Sequence, residues 1–125
     1  MKSFLLIIGL TISILAAPST TKVEWLGPTT HEFGDIQHKT EIEHHFTFKN
    51  TSDTPFVIDN VRTSCGCTAA DWIETPIAPD STATIDIIYD AHDLGYFRKY
   101  VKVYLSGQRK AEKLYLEGNV VATGE

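Results

Sequence analysis

The chain has 125 residues and a formal net charge of −5 at pH 7, with 42% hydrophobic and 22% charged residues. This is the composition of one ordinary globular domain, and it argues against a multi-domain enzyme, a collagen-like repeat or a disordered tail. The acidic balance also argues against a nucleic-acid partner, because binding to the phosphate backbone requires clustered Lys and Arg.

The first 17 residues have the pattern of a signal peptide. A short basic start, Met1-Lys2-Ser3, precedes an apolar stretch from Phe4 to Leu15 and the small pair Ala16-Ala17. This stretch is too short to cross a hydrocarbon core of about 30 Å as a helix, so no permanent membrane anchor is expected. The lipid-modified Cys of bacterial lipoproteins is also missing here. We therefore expect residues 18–125 to form an exported domain, periplasmic or extracellular.

Beyond the signal region, apolar and polar residues alternate with a period of two, which is typical of strands rather than helices. The clearest predicted strand covers residues 41–49, where Ile42, His44, Phe46 and Phe48 fall on one face. Residues 56–61, 67–73, 82–90 and 96–105 are predicted as further strands. Residues 93–95 are predicted as a hairpin turn, and the chain is expected to return after residues 106–108 through positions 114–120.

This pattern predicts one all-β domain over residues 18–125. Short strands at this spacing, with no helix between them, are typical of an immunoglobulin-like antiparallel β-sandwich, here of about seven to eight strands. A compact sandwich offers sheet faces, edges and loop ends to a partner, but rarely a deep pocket for a substrate.

Several motifs occur along the chain in the order found in a known family. They are Phe33-Gly34-Asp35-Ile36, the strand and turn at 46–53, the segment Val61-Arg62-Thr63-Ser64-Cys65-Gly66-Cys67-Thr68, Pro76-Ile77-Ala78-Pro79, Tyr89-Asp90 and Gly95-Tyr96-Phe97-Arg98-Lys99. From about Val23 to Val120 the chain resembles the DUF1573 family of exported bacterial proteins, which is common in Bacteroidetes. The resemblance implies an immunoglobulin-like sandwich related to major-sperm-protein, ASH and PapD-like domains, and it implies no activity. Asp80 departs from the family pattern, which usually has Gly after Pro79.

The most unusual feature of the sequence is Cys65-Gly66-Cys67. In an extended segment, residues two apart project to the same side, and Gly permits the bend that brings two Cβ atoms to disulfide distance. One interpretation is a local disulfide or an inert thiol pair in an oxidising compartment. A second is a copper or zinc site, with His44 as a candidate further ligand. Thiol–disulfide exchange is a third, and an intermolecular bond a fourth.

One predicted strand face is rich in tyrosine and basic residues. Alternation places Tyr96, Arg98, Tyr100, Lys102 and Tyr104 on the same side of the strand at 96–105. Tyr and Arg are enriched at interface hot spots, so this face is a candidate partner-binding surface. The alternative is ordinary cross-strand packing of tyrosines within a sheet.

The remaining polar residues carry no catalytic pattern. The sequence has no GxSxG, HExxH, Walker or GxGxxG motif, and Glu41, Glu43, Asp86 and Asp90 are predicted as charges on solvent-facing strand surfaces. We therefore expect a non-catalytic binding or assembly module without a cofactor. Its expected partner is a protein of the cell envelope that contacts a sheet edge or the tyrosine-bearing face. The alternative function is a thiol site at Cys65 and Cys67.

Overall fold

The computed structural model describes residues 21–123 and, in the N-terminal region, Gly9. The predicted signal peptide, residues 1–17, otherwise lies outside the described residues and stays a prediction. The described chain contains β1 (Val23–Trp25), β2 (Thr30–Gln37), β3 (Ile42–Asn50), β4 (Ile58–Thr63), β5 (Thr68–Trp72), β6 (Thr82–Tyr89), β7 (Gly95–Leu105) and β8 (Glu112–Val121). Within this part of the chain, no helix is long and apolar enough to cross a membrane.

Two four-stranded sheets enclose the hydrophobic core. The first sheet has the strand order β1-β3-β6-β5, and the second sheet has the order β2-β8-β7-β4. The all-β sandwich expected from the alternation is therefore confirmed. The largest fully buried apolar side chains come from both sheets: Phe48, Ile85 and Ile87 from the first, and Val101, Val103, Leu114 and Leu116 from the second.

The strand connections differ from the expectation in two places. β2 runs parallel to β8, whereas the sequence predicted antiparallel pairing throughout. Residues 93–95 do not form a hairpin turn: Asp93 and Leu94 lie in a crossover that leads into Gly95, the first residue of β7, because β6 belongs to the first sheet and β7 to the second. Alternation with a period of two is the same whichever sheet a strand joins and whichever direction it runs. It therefore could not predict the parallel pairing of β2 with β8 or the crossover between β6 and β7.

Alternation within each strand decides which side chains reach solvent. On β6, Ile85 and Ile87 are buried, while Asp86 and Ile88 lie on the outer face, as predicted. Each fully buried aliphatic side chain stabilises the fold by about 1.5–3 kcal/mol, so a strand cannot slip by one residue without losing its core contacts. The core thus fixes the residues on the two outer faces, and the candidate sites lie on those faces.

Candidate functional site

The tyrosine face is the outer surface of β7, formed by Tyr96, Arg98, Tyr100, Lys102 and Tyr104. β7 lies between β8 and β4 in the second sheet, and it pairs with β8 over residues 95–103 and with β4 over residues 101–105. The five side chains point away from the core, as the alternation predicted. Tyr96 is 68% exposed and Tyr100 is 42% exposed. The face therefore presents aromatic rings to solvent from a strand with a fixed backbone.

Neighbouring strands extend the tyrosine face on both sides. Tyr100 lies opposite Tyr115 of β8, and Lys102 lies between Lys113 of β8 and Arg62 of β4. Two flanking hydroxyl or amide groups add hydrogen-bonding capacity, from Ser64 next to Tyr100 and from Asn60 opposite Tyr104. The surface is thus a continuous patch across three strands rather than a single row.

Cations lie over the aromatic rings of this patch. The Arg98 guanidinium is 4.7 Å from the Tyr115 ring centroid, and the Lys102 ammonium is 5.6 Å from that of Tyr100. Such contacts contribute about 0.5–1 kcal/mol each at exposed sites and restrict the mobile basic side chains. Cross-strand packing and solvent exposure, the two alternatives expected for these tyrosines, therefore occur together on this face.

A hydrogen bond fixes the exposed end of the face. The Tyr96 hydroxyl donates to Glu117 Oε2 at 3.0 Å, and this bond raises the pKa of Tyr96. At the other end, Asp59, Asn60, Arg62 and Tyr104 line a shallow depression of about 360 Å³. The patch thus combines a rigid surface with a small concave rim.

Cys65 and Cys67 are joined by a disulfide in the connection from β4 to β5, with their Cα atoms 5.3 Å apart. This connection links the two sheets, since β4 belongs to the second and β5 to the first. Hydrogen bonds anchor it on both sides. The Ser64 N–H donates to the Tyr100 carbonyl at 3.0 Å, and the Asp90 N–H donates to the Cys67 carbonyl at 3.0 Å. The disulfide loop therefore adjoins the tyrosine face.

Gly66 does not have the special role that the sequence suggested. It does not have a positive φ, and, its chain neighbours Cys65 and Cys67 apart, a Cβ at this position would meet no described atom within 4 Å. The bend between the two cysteines is therefore one that a residue with a side chain could also adopt.

His44 does not approach the cysteines. It lies on β3, whereas the two cysteines lie just before β5. In the first sheet, β6 lies between these two strands. Its ring stacks instead on His31 of β2, with centroids 3.6 Å apart and planes 11° from parallel. Burial lowers the pKa of His44, and the neighbouring His31 and His45 lower it further. Strand β6 separates it from the strand that follows the disulfide loop, so the structure does not assemble the three residues proposed as metal ligands.

Three polar residues that the alternation pattern places on solvent-facing surfaces come together in the structure. Glu43 and His45 on β3 meet Asp86 on β6, and His45 Nδ1 lies 2.5 Å from Asp86 Oδ1. This hydrogen bond raises the pKa of His45. The three residues meet because the pairing register of β3 and β6 places His45 directly opposite Asp86. The register between two strands that are distant in sequence cannot be obtained from alternation alone.

The family of the chain can be assigned, because a family model matches most of its sequence. A family model described as "Protein of unknown function (DUF1573)" matches residues 25–120. The chain belongs to the DUF1573 family. The match runs from the end of β1 into β8, so the DUF1573 region contains both the disulfide loop and the tyrosine face. No curated protein sequence matches the chain.

Solved structures with this DUF1573 fold are distant in sequence. The ASH/PapD-like domain of human CEP192 has a TM-score of 0.71 at 12% identity, and the match covers 92% of this chain and 99% of that domain. WR4, an MSP family member from C. elegans, has a TM-score of 0.51 at 9% identity, covering 81% of this chain and 99% of that protein. At these identities the likenesses show the sandwich fold alone.

A bacterial protein of unknown function shares the same fold. The crystal structure from Porphyromonas gingivalis W83 has a TM-score of 0.67 at 16% identity, with 88% of this chain and 51% of that protein covered. The DUF1573 chain therefore spans about half the length of the P. gingivalis protein, and at this identity the likeness shows the fold alone.

Proposed function

We propose that this DUF1573 domain is a non-catalytic binding module of the cell envelope whose tyrosine face contacts a protein partner. The observation that carries the proposal is the exposure of Tyr96 and Tyr100 on β7, whose backbone pairs with β8 at both residues. Export to the periplasm or the outside of the cell is part of the proposal and rests on the pattern of residues 1–17.

The chemistry of the tyrosine face suits protein recognition. Tyrosine offers a large apolar ring and a hydroxyl at a low cost in side-chain entropy, and tyrosine and arginine dominate interface hot spots. Arg98 is already held over the Tyr115 ring, so a partner would not have to immobilise a free side chain. The strand backbone beneath these residues is fixed, which lowers the cost of binding further.

The absence of the common hydrolase and nucleotide-binding motifs from the sequence supports a non-catalytic role. The fold supports it as well, since a sandwich of this size presents faces and edges for contact. The likeness to ASH/PapD-like and MSP domains supports the sandwich architecture, but it does not indicate a partner.

A comparative pull-down from envelope extract tests the proposal. The bait proteins are the wild type, the Tyr96→Ala/Tyr100→Ala double variant, and Ile88→Ala as a matched control on the outer face of the first sheet. Proteins retained by the wild type and by Ile88→Ala should be lost from the double variant, with thermal unfolding used to confirm that all three are folded. Identical partners for all three baits would overturn the proposal.

A further bait separates the alternative function, a thiol site at Cys65 and Cys67. The disulfide loop adjoins Tyr100, so both functions would involve the same region of the surface. A Cys65→Ser/Cys67→Ser variant should keep its partners if the tyrosine face binds them, because those rings remain in place. Loss of partners from this variant alone, with the Tyr variant still binding, would favour the thiol site.

A further inference from the structure

The outer face of the first sheet, opposite the tyrosine face, carries a compact group of one imidazole and two carboxylates, which are side chains of the types that ligate metal ions. Glu43 and His45 are two residues apart on β3 and therefore project to the same side. Asp86 on β6 lies directly opposite His45 in the antiparallel register. One donor atom from each of the three residues lies within 4.8 Å of the other two.

The spacing of these atoms is close to that of ligands around one ion. His45 Nδ1 is 2.5 Å from Asp86 Oδ1 and 3.9 Å from Glu43 Oε1. Zinc binds His nitrogen and carboxylate oxygen at about 2.0–2.2 Å, which places neighbouring tetrahedral ligands about 3.4 Å apart. One distance is shorter than this value and the other is longer, so small side-chain rotations would suffice to seat an ion.

The backbone that carries the three residues is already organised. β3 and β6 are the two central strands of the first sheet, and they pair without interruption from Ile42 opposite Tyr89 to Lys49 opposite Thr82. Binding would therefore fix only exposed side chains, and the strand geometry would hold their Cβ atoms in place. This arrangement reduces the entropy cost of assembling the site.

The local charge also favours a cation. Among the described residues, Glu43 and Asp86 share one ion-pair partner, His45. Asp71 of β5 lies opposite Asp86 on its other side, and carboxylates directly opposite one another destabilise a sheet. A divalent ion would offset this repulsion.

We propose that Glu43, His45 and Asp86 form a surface site for a divalent transition-metal ion, with zinc as the ion that best fits one imidazole nitrogen and two carboxylate oxygens. A nitrogen donor distinguishes this group from purely acidic surfaces, which suit calcium or magnesium. With three protein ligands, one position of a tetrahedral ion stays open to water or to a donor from another molecule. The site is separate from the disulfide loop and does not depend on the proposed partner binding.

Calorimetric titration of the purified protein with zinc alone tests the site. The variants are His45→Ala and Asp86→Asn, and the matched control is His92→Ala. His92 also places its Nδ1 near a carboxylate, 3.1 Å from Asp93 Oδ1, but it does not belong to a described cluster of three donors. His45→Ala and Asp86→Asn should each weaken zinc binding at least tenfold, and His92→Ala should change it less than twofold. These side chains are on the surface, so the variants should remain folded.

Two further measurements make the result decisive. The ring signals of His45 should shift on zinc addition in NMR spectra before those of the other histidines. Calcium at the same concentration should not displace the zinc, because it lacks affinity for the imidazole. The proposal would be overturned if zinc bound with a Kd weaker than about 1 mM or not at all. It would also be overturned if His45→Ala bound zinc as tightly as the wild type, or if calcium displaced all of the zinc.

Discussion

Asn50 shows how one buried polar side chain can organise a loop. Its side chain is fully buried, and Nδ2 donates to the carbonyls of Thr54 and Ile77 at 3.0 and 2.9 Å. Oδ1 accepts hydrogen bonds from the backbone N–H and the hydroxyl of Ser52. The amide therefore ties the turn after β3 to the isolated bridge between Phe56 and Ile77.

Replacing this amide should be costly. Asn50→Ala should lower the free energy of unfolding by about 2–4 kcal/mol, because it removes the four hydrogen bonds of a buried amide, each worth about 0.5–1.5 kcal/mol net. Chemical denaturation measures the loss. The matched control is Asn119→Ala, since Asn119 makes one exposed hydrogen bond of 3.3 Å to Asp35, and its loss should stay within about 0.5 kcal/mol. Equal losses for the two variants would contradict this account of Asn50.

At the level of elements, the sequence predicted which face of a strand is buried but not which sheet the strand joins. The buried and exposed faces of β3, β6 and β7 followed from alternation, because the core accepts only one of the two side-chain sets. Sheet membership did not follow, as the crossover near Asp93 shows. The cluster of Glu43, His45 and Asp86 also could not be predicted, since it depends on the register between strands that are 41 residues apart at His45 and Asp86.

Close approach between β8 and its neighbours gives a prediction for Gly118. A Cβ on Gly118 would lie 2.9 Å from two Phe97 ring atoms and 3.0 Å from the Gly34 carbonyl oxygen. Gly118→Ala should therefore displace the buried Phe97 ring and lower the free energy of unfolding by about 1–3 kcal/mol. Gly66→Ala is the control, because its Cβ would meet no described atom within 4 Å. Denaturant titrations that give the same midpoint for both variants would disprove the packing argument.

At the scale of the whole molecule, the two outer faces have different chemistry. The second sheet presents tyrosines and basic residues, and the first presents the group formed by Glu43, His45 and Asp86. A sandwich keeps these surfaces apart because its core lies between them. A variant on one face should therefore leave the other unchanged, since sites that share no contacts behave additively.

The contact between His31 and His44 joins β2 of the second sheet to β3 of the first, so it affects the sandwich as a whole. Phe33 and Phe46 pack edge-on against the His44 ring. In the folded state the pKa of His44 is lowered, chiefly by burial and then by His31 and His45. The unfolded chain therefore takes up a proton on His44 more readily than the folded protein does.

The sign of the pH effect follows from this difference. The stabilisation from a neutral His44 is fully present above the unfolded pKa of about 6.5, and it is lost as pH falls from there through the lowered folded pKa. Wild-type stability should therefore decrease more between pH 7.5 and pH 5 than that of His44→Phe, whose ring can still stack but cannot be protonated. Both proteins retain His45, whose raised pKa acts in the opposite direction, so comparing them cancels that contribution. Denaturant unfolding with a metal chelator present measures the difference in stability. Parallel pH profiles would show that protonation of the half-buried His44 imidazole is not coupled to the packing of the two sheets.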